Sequence, residues 1–325
     1  MKAWQAVRKV ADAHESRFRR VVEEAASVGQ ASLNAEAVAE GFERNTPSIV
    51  SAALHEAVGV MGTVLAVELI RELSSTMEAA AKTALRTAKI AGSLRAAREA
   101  PIEGLFFDLT NPEAVLWIQQ HGGDLIVGIT KTTQAAIQRI LIRSFEEGIP
   151  TGEAARMIRP LIGLTDVHTD AVFNLRRAIL GYRDRVTGRM VGGPGSKLWA
   201  GKTPIRVPRG GATADFVARR TQQYAARLLN LRARMIARTE TMSASNEGQR
   251  QLWLQAREQG LIGAGQTKEW IVTPDDRLCQ ICAPLSGEVQ LVDEEFSVGV
   301  LSPPAHVMCR CAMGLSDKRA PRKVA

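Results

Sequence analysis

All four cysteines of this 325-residue chain stand within 33 positions of one another, as Cys279-x2-Cys282 and Cys309-x-Cys311, and His306 lies three residues before Cys309. A Cys-x2-Cys turn lets two thiolates reach one ion, and backbone N–H groups in the turn steady their charge. A tetrahedral zinc site takes four ligands, whereas Cys279, Cys282, His306, Cys309 and Cys311 offer five. Either all four cysteines bind, or His306 replaces one of the late pair. Between the halves, Leu285-Ser286-Gly287-Glu288 is a hairpin signal that brings them together. A small β unit with little core is what a structural metal can stabilise outright. Paired thiols or a disulfide are the alternative. Catalytic zinc keeps an open position beside a general base, and no His-x-Glu accompanies these cysteines.

The rest of the chain reads as helix. Hydrophobic residues make up 45% and aromatics only 5%, with Ala, Leu, Arg, Glu and Gln abundant. The expected fold is therefore mostly α, with a small β-containing, zinc-stabilised C-terminal unit. A formal charge of +8 marks either a soluble protein with a Lys/Arg-rich surface or one that meets an anionic partner, be it nucleic acid, a membrane surface or an acidic protein. The start of the chain is amphipathic and lacks the apolar core of a signal peptide. The most apolar run, Ala57 to Ile70, is too short to span a bilayer and contains Glu68, so a buried helix is expected and no membrane partner. The expected compartment is the cytoplasm, where disulfides are rare.

Four regions are expected. Residues 1–100 form a long-helix region, with one helix to about Ala26 and another, single or nearly continuous, from Asn45-Thr46-Pro47 to about Ala100. Such a helix often packs on a neighbouring chain, which suggests self-association. Residues 101–211 form a helical bundle. After a β-prone Leu105–Leu109, helices are expected over Pro112–Gln120, Asp124–Glu147, Thr151–Arg159 and Asp166–Tyr182, broken at His121-Gly122-Gly123 and Gly148-Ile149-Pro150. Its end, residues 183–211, reads as a mobile basic arm rich in Gly and Pro. Residues 212–315 combine a helix to about Gly260, with a break near Asn246-Glu247-Gly248, and a β unit with strands over Lys268–Val272 and Val289–Val292. Residues 316–325 are a basic tail.

An ordered set of motifs then carries a resemblance: Ile236-Ala237-Arg238-Thr239-Glu240-Thr241, Asn246-Glu247-Gly248, Trp270, Asp275-Asp276-Arg277-x-Cys279-x2-Cys282, Leu285-Ser286-Gly287 and Pro303-Pro304-x-His306-x2-Cys309-Arg310-Cys311. From Leu228 to Leu315 the chain resembles the C-terminal domain of phage Mu F-like head-morphogenesis proteins, minor capsid proteins encoded beside the portal. One departure is His306-Val307, where the family often has His-Pro. The resemblance implies a structural virion or procapsid protein, not an enzyme, present in the host cytoplasm during assembly. Its implied partners are the portal protein, the major capsid protein or both, and phage DNA, in head assembly, packaging or ejection.

Under that resemblance Arg238, Glu240, Asn246, Asp275 and Arg277 are structural motif residues. Arg238 and Glu240 are two apart and point in different directions, so each needs its own partner, with Asp275 or Asp276 the candidates for Arg238. No nucleophile accompanies Glu240, and no catalytic residue is assigned. Arg219, Arg220, Arg227, Arg232 and Arg234 are candidate DNA contacts, able to follow phosphates without reading bases. His14, His55, His121 and His168 lack ligand spacing and read as surface or capping residues. Two other classes stay open: a nucleic-acid-binding zinc protein, and a hydrolase or transferase using Glu240 or the zinc.

Overall fold

The structure, a computed structural model, describes residues 3–91, 107–146, 157–273, 275–276 and 278–320. Six helices carry most of it: α1 (Ala3–Ser32), α2 (Ala35–Glu43), α3 (Pro47–Ala91), α4 (Pro112–Glu146), α5 (Asp166–Leu180) and α6 (Ala214–Glu258). Between α5 and α6 lie two antiparallel hairpins, β1 (Tyr182–Arg183) with β2 (Met190–Val191), and β3 (Lys197–Ala200) with β4 (Thr203–Arg206). After α6 comes an antiparallel sheet of β5 (Thr267–Ile271), β6 (Val289–Leu291) and β7 (Ala312–Ser316), ordered β6-β5-β7. The mostly helical fold with a C-terminal β unit is thus the one the sequence implies. The expected helix Thr151–Arg159 falls largely outside the described residues, as do the far end of the second long helix and residues 321–325 of the tail; of the β-prone Leu105–Leu109, residues 107–109 are described and form no strand.

The chain forms two compact units. The first gathers Met1–Val22, Val67–Gly123 and Ala233–Ala325, and the second Glu23–Ala66 and Asp124–Arg232.

In the first unit, one apolar core joins Met77, Ala80, Ala81 and Ala84 of α3, Ala114 and Ile118 of α4, and Leu252, Trp253 and Leu254 of α6. Trp270, Leu285, Phe296, Met313 and the cysteines belong to that same core. Trp270 meets the edge of Phe296 with ring centroids 4.9 Å apart. The β unit therefore has a real core, shared with helices, where the sequence suggested one too small to stand without metal. Each large side chain buried this way contributes roughly 1.5–3 kcal/mol.

Glycines expected to break helices instead let them touch. α4 runs unbroken through Gly122, where a Cβ would lie 2.2 Å from Ile70 Cδ1 of α3. α6 runs unbroken through Gly248, where a Cβ would lie 2.3 Å from the Met77 carbonyl oxygen. Every residue from Glu240 to Ala256 is buried. The polar ones among them are therefore matched inside the protein: Glu247 accepts from Arg250 Nε at 2.9 Å and Nη2 at 2.7 Å, and from Gln251 at 2.9 Å.

In α3, Leu54, Val58, Met61, Leu65, Leu69, Leu73 and Met77 recur every three or four residues and are buried. The helix is long and apolar enough to cross a bilayer by length and composition, but this stripe packs on protein.

In the second unit, Asn34 caps α2 by accepting from Ala37 N, and Thr165 caps α5 by accepting from His168 N. Residues 183–211, expected to be a mobile arm, fold as the two hairpins. Local chemistry explains this. Asp184 accepts from the Val186 and Thr187 N–H groups and the Thr187 hydroxyl, closing the first turn. Gly192 and Gly193 take positive φ at the point where a side chain on Gly192 would strike the Ala178 carbonyl. The second hairpin then packs Leu198, Ala200, Ile205 and Val207 against Leu175, Ile179 and Val217.

Candidate metal centre

The cysteines and His306 converge in the first unit. His306 Nε2 lies 3.1 Å from both Cys279 Sγ and Cys282 Sγ, and Cys282 Sγ lies 3.7 Å from Cys309 Sγ. Two triads with metal-ligand spacing result, Cys279/Cys282/His306 and Cys282/Cys309/Cys311, sharing Cys282. None of the four cysteines forms a disulfide.

Each half is built locally. The Cys282 N–H points at Cys279 Sγ at 3.4 Å, and the Cys311 N–H at Cys309 Sγ at 3.5 Å. His306 Nδ1 bonds the Val307 carbonyl at 2.8 Å, which fixes the proton there and leaves Nε2 as an acceptor towards the thiols. Met308 takes a left-handed φ of 63°, so the chain turns tightly between His306 and Cys309. Its N–H is held by Thr239 Oγ1 of α6 at 3.0 Å.

The electrostatics suit a cation. Hydrogen bonds from Cys311 hold the Cys309 thiol down to about 5 against the effect of burial. Burial, reinforced by the Cys309 charge, pushes Cys282 up to about 12. Burial works to raise Cys279, but its hydrogen bonds to Cys282 and Ile281 and the nearby His306 lower it overall. The Cys309 hydrogen bond and burial raise Cys311. Without a cation, then, these thiols cannot all ionise together. The donor set fits a thiophilic ion: sulfurs around tetrahedral zinc stand about 3.8 Å apart, close to the Cys282–Cys309 separation. The cavity among them is only about 30 Å³.

The motif residues bind this centre to α6. Asn246 donates through Nδ2 to the carbonyls of Met242 at 2.9 Å and Cys311 at 3.4 Å. Asp275 receives a two-pronged bond from Arg310, its Oδ1 at 2.7 Å from Nη2. Arg238 does not meet Asp275 or Asp276. It donates to Asp12 and to Glu15 of α1, because its place on α6 turns it towards that helix. Glu240 points elsewhere, to His121 Nε2 at 2.6 Å, and His121 stacks on Trp117 at 4.5 Å. His121 is therefore a partner of Glu240 and not a surface or capping residue. Arg277 lies outside the described residues.

The match with known families falls on these elements. Residues 207–314 match the family described as Phage Mu protein F like protein. This segment is a Mu F-like domain. No curated protein and no solved structure matches the chain. In the Mu F-like domain, the Arg-Thr-Glu triplet sends its three side chains to three places: Arg238 to α1, Thr239 to the Met308 turn and Glu240 to α4. The Asn-Glu-Gly triplet divides likewise among the Cys311 carbonyl, the Arg250 clamp and the Met77 contact.

Sequence reasoning passed over Thr239, Glu247 and Lys268 as site residues. Lys268 is fully buried and donates to the carbonyls of Val292 at 3.0 Å and Leu301 at 2.7 Å, fixing the two loops beside the centre. Thr239 and Glu247 stood inside recognised motifs. For Lys268 the alternation of β5 placed a charge facing inwards, which sequence alone reads as a solvated position.

The candidate DNA-contacting arginines separate. Arg219, Arg227 and Arg234 are exposed, and Arg220 lies against Phe216 and Gln223. Arg232 is buried and donates to Thr132 at 2.7 Å, Thr133 at 3.2 Å and the Gly163 carbonyl at 2.5 Å. It is an internal clamp that phosphate cannot reach. Burial lowers its pKa to about 10.

Proposed function

We propose that the protein is a structural head-morphogenesis protein of a tailed phage, acting at the portal or the capsid interior in assembly, packaging or ejection. The observation that carries this reading is how the Mu F-like motif residues are used. Arg238, Thr239, Glu240, Asn246 and Glu247 all bond to other parts of the same unit, Glu247 through the Ser302 hydroxyl. The cavity beside the cysteines is about the size of one water molecule, so the centre braces a fold instead of receiving a substrate.

The ion we assign to the centre is zinc, with Cys279, Cys282, His306 and Cys309 as ligands. Backbone N–H groups support Cys279 and Cys309, His306 Nε2 faces both early cysteines, and Cys309 stands beside Cys282. Bound there, zinc would neutralise the thiolates and cross-link the turn after β5 to the turn before β7.

Co-expression with the portal and major capsid proteins of the same phage tests the role. The protein is expected to co-purify with precursor heads or the portal ring. Its absence from precursor heads, portal complexes and mature virions alike would overturn the reading.

A further inference from the structure

The β3–β4 hairpin presents two different faces. Leu198, Ala200 and Ile205 turn inwards, leaving Lys197, Trp199, Pro204 and Arg206 exposed on the other side. The register sets Lys197 directly opposite Arg206, and Trp199 opposite Pro204. Like charges directly opposite one another on a sheet repel. Neither residue has an ion-pair partner among the described residues.

The surroundings do not relieve this repulsion. From Arg185 to Gly211 the chain has six Arg and Lys residues and no acid. The adjacent Asp184 is occupied by the turn it closes. The Lys197 ammonium stands 5.0 Å from the centre of the Trp199 ring, yet that indole remains 59% exposed. A large exposed ring beside two facing cations that lack ion-pair partners costs the isolated hairpin stability, and an anionic, aromatic ligand would relieve both penalties.

We propose that this face binds single-stranded nucleic acid without reading its sequence, Lys197 and Arg206 taking backbone phosphates while Trp199 stacks on a base. Lys197 and Trp199 are two strand residues apart, about 7 Å, so a phosphate and a base of one short stretch can meet both. An acidic protein would satisfy the cations but offer the indole no stacking plane, and duplex DNA hides its base faces inside the helix. The hairpin precedes the Mu F-like match and belongs to the second unit, whereas the cysteines belong to the first, so the inference does not depend on the head-morphogenesis reading.

The test uses the full-length protein with labelled oligothymidine, a duplex of the same length and polyglutamate as competitor. Oligothymidine is expected to bind more tightly than duplex, to resist polyglutamate and to quench tryptophan fluorescence. Trp199→Ala should weaken binding about 5- to 100-fold and abolish the quenching, while Trp199→Phe restores most of the affinity. Lys197→Ala with Arg206→Ala should lower the slope of log affinity against log salt by about 1.4. All three substituted side chains are exposed, so circular dichroism should show unchanged folding. Wild-type affinity in Trp199→Ala, or equal binding of duplex, would overturn the proposal. So would displacement by polyglutamate, which would point to an acidic protein partner.

Discussion

The backbone N–H of Met308 rests on Thr239 Oγ1 at 3.0 Å, joining the strained turn of the cysteine centre to the middle of α6 across 69 residues. The turn stays in its left-handed conformation because a hydroxyl on a rigid helix holds it. Thr239→Val keeps the side-chain shape and removes that acceptor. A loss of about 1–2 kcal/mol is expected, together with faster zinc release to a chelator. Thr239→Ser should behave like wild type in both measurements. Unchanged release from the Val variant would show that the turn holds itself.

Glycine substitutions distinguish close helix contact from open space. In an exposed helix interior, Gly→Ala stabilises by about 1 kcal/mol. Gly59→Ala should follow that rule, since nothing lies within 4 Å of the added carbon. Gly248→Ala should destabilise by about 2 kcal/mol or more, because the Met77 backbone must move away. Gly122→Ala should fall between them, since the obstacle is the movable end of Ile70. Urea unfolding of the three variants measures the order directly.

The ligand assignment makes the two ends of the cysteine set unequal. Cys282 belongs to both triads, so Cys282→Ser should lose stoichiometric zinc on elemental analysis. Cys311→Ser should retain it. Retention by Cys282→Ser, or loss in Cys311→Ser alone, would refute the proposed ligands.

Lys268 links stability to pH. Burial, aided by the Arg250 charge, lowers its pKa to about 8 from the ordinary 10.5. Between those values the unfolded chain holds a proton that the folded chain has given up, so stability rises with pH across that window. Below about pH 8 the full cost of keeping the ammonium buried is present. The expected gain from pH 8 to 10.5 is on the order of 1–3 kcal/mol. Lys268→Met should lose that part of the pH dependence when both proteins are unfolded in urea with zinc held constant. Parallel curves would exclude Lys268 as the group responsible.

Much of this structure was legible beforehand. The proline starts of α3 and α4, the strands β5 and β6 and the convergence of the cysteines with His306 all follow from local chemistry. Other features depend on neighbours that spacing cannot reveal. Gly122 and Gly248 read as breaks because glycine weakens an isolated helix, and only the approach of α3 shows why they are there. Arg232 looked like one more surface cation, because nothing in a run of arginines marks which one turns towards the Gly163 carbonyl. The partner of Arg238 stands 226 residues earlier, beyond any local pattern. β7 was missed because Ala312–Ser316 has no alternation, being mostly buried as it lies beside β5.

That separation between Asp12 and Arg238 also bears on how the chain is made. Asp12 and Glu15 leave the ribosome more than two hundred residues ahead of the guanidinium they receive. The segments of the second unit, Glu23–Ala66 and Asp124–Arg232, are complete before synthesis reaches Ala233. The first unit must wait for its last segment, with the nascent amphipathic face of α1 and the apolar second half of α3 uncovered meanwhile. During translation these surfaces are what a chaperone, or a second nascent copy, would meet first.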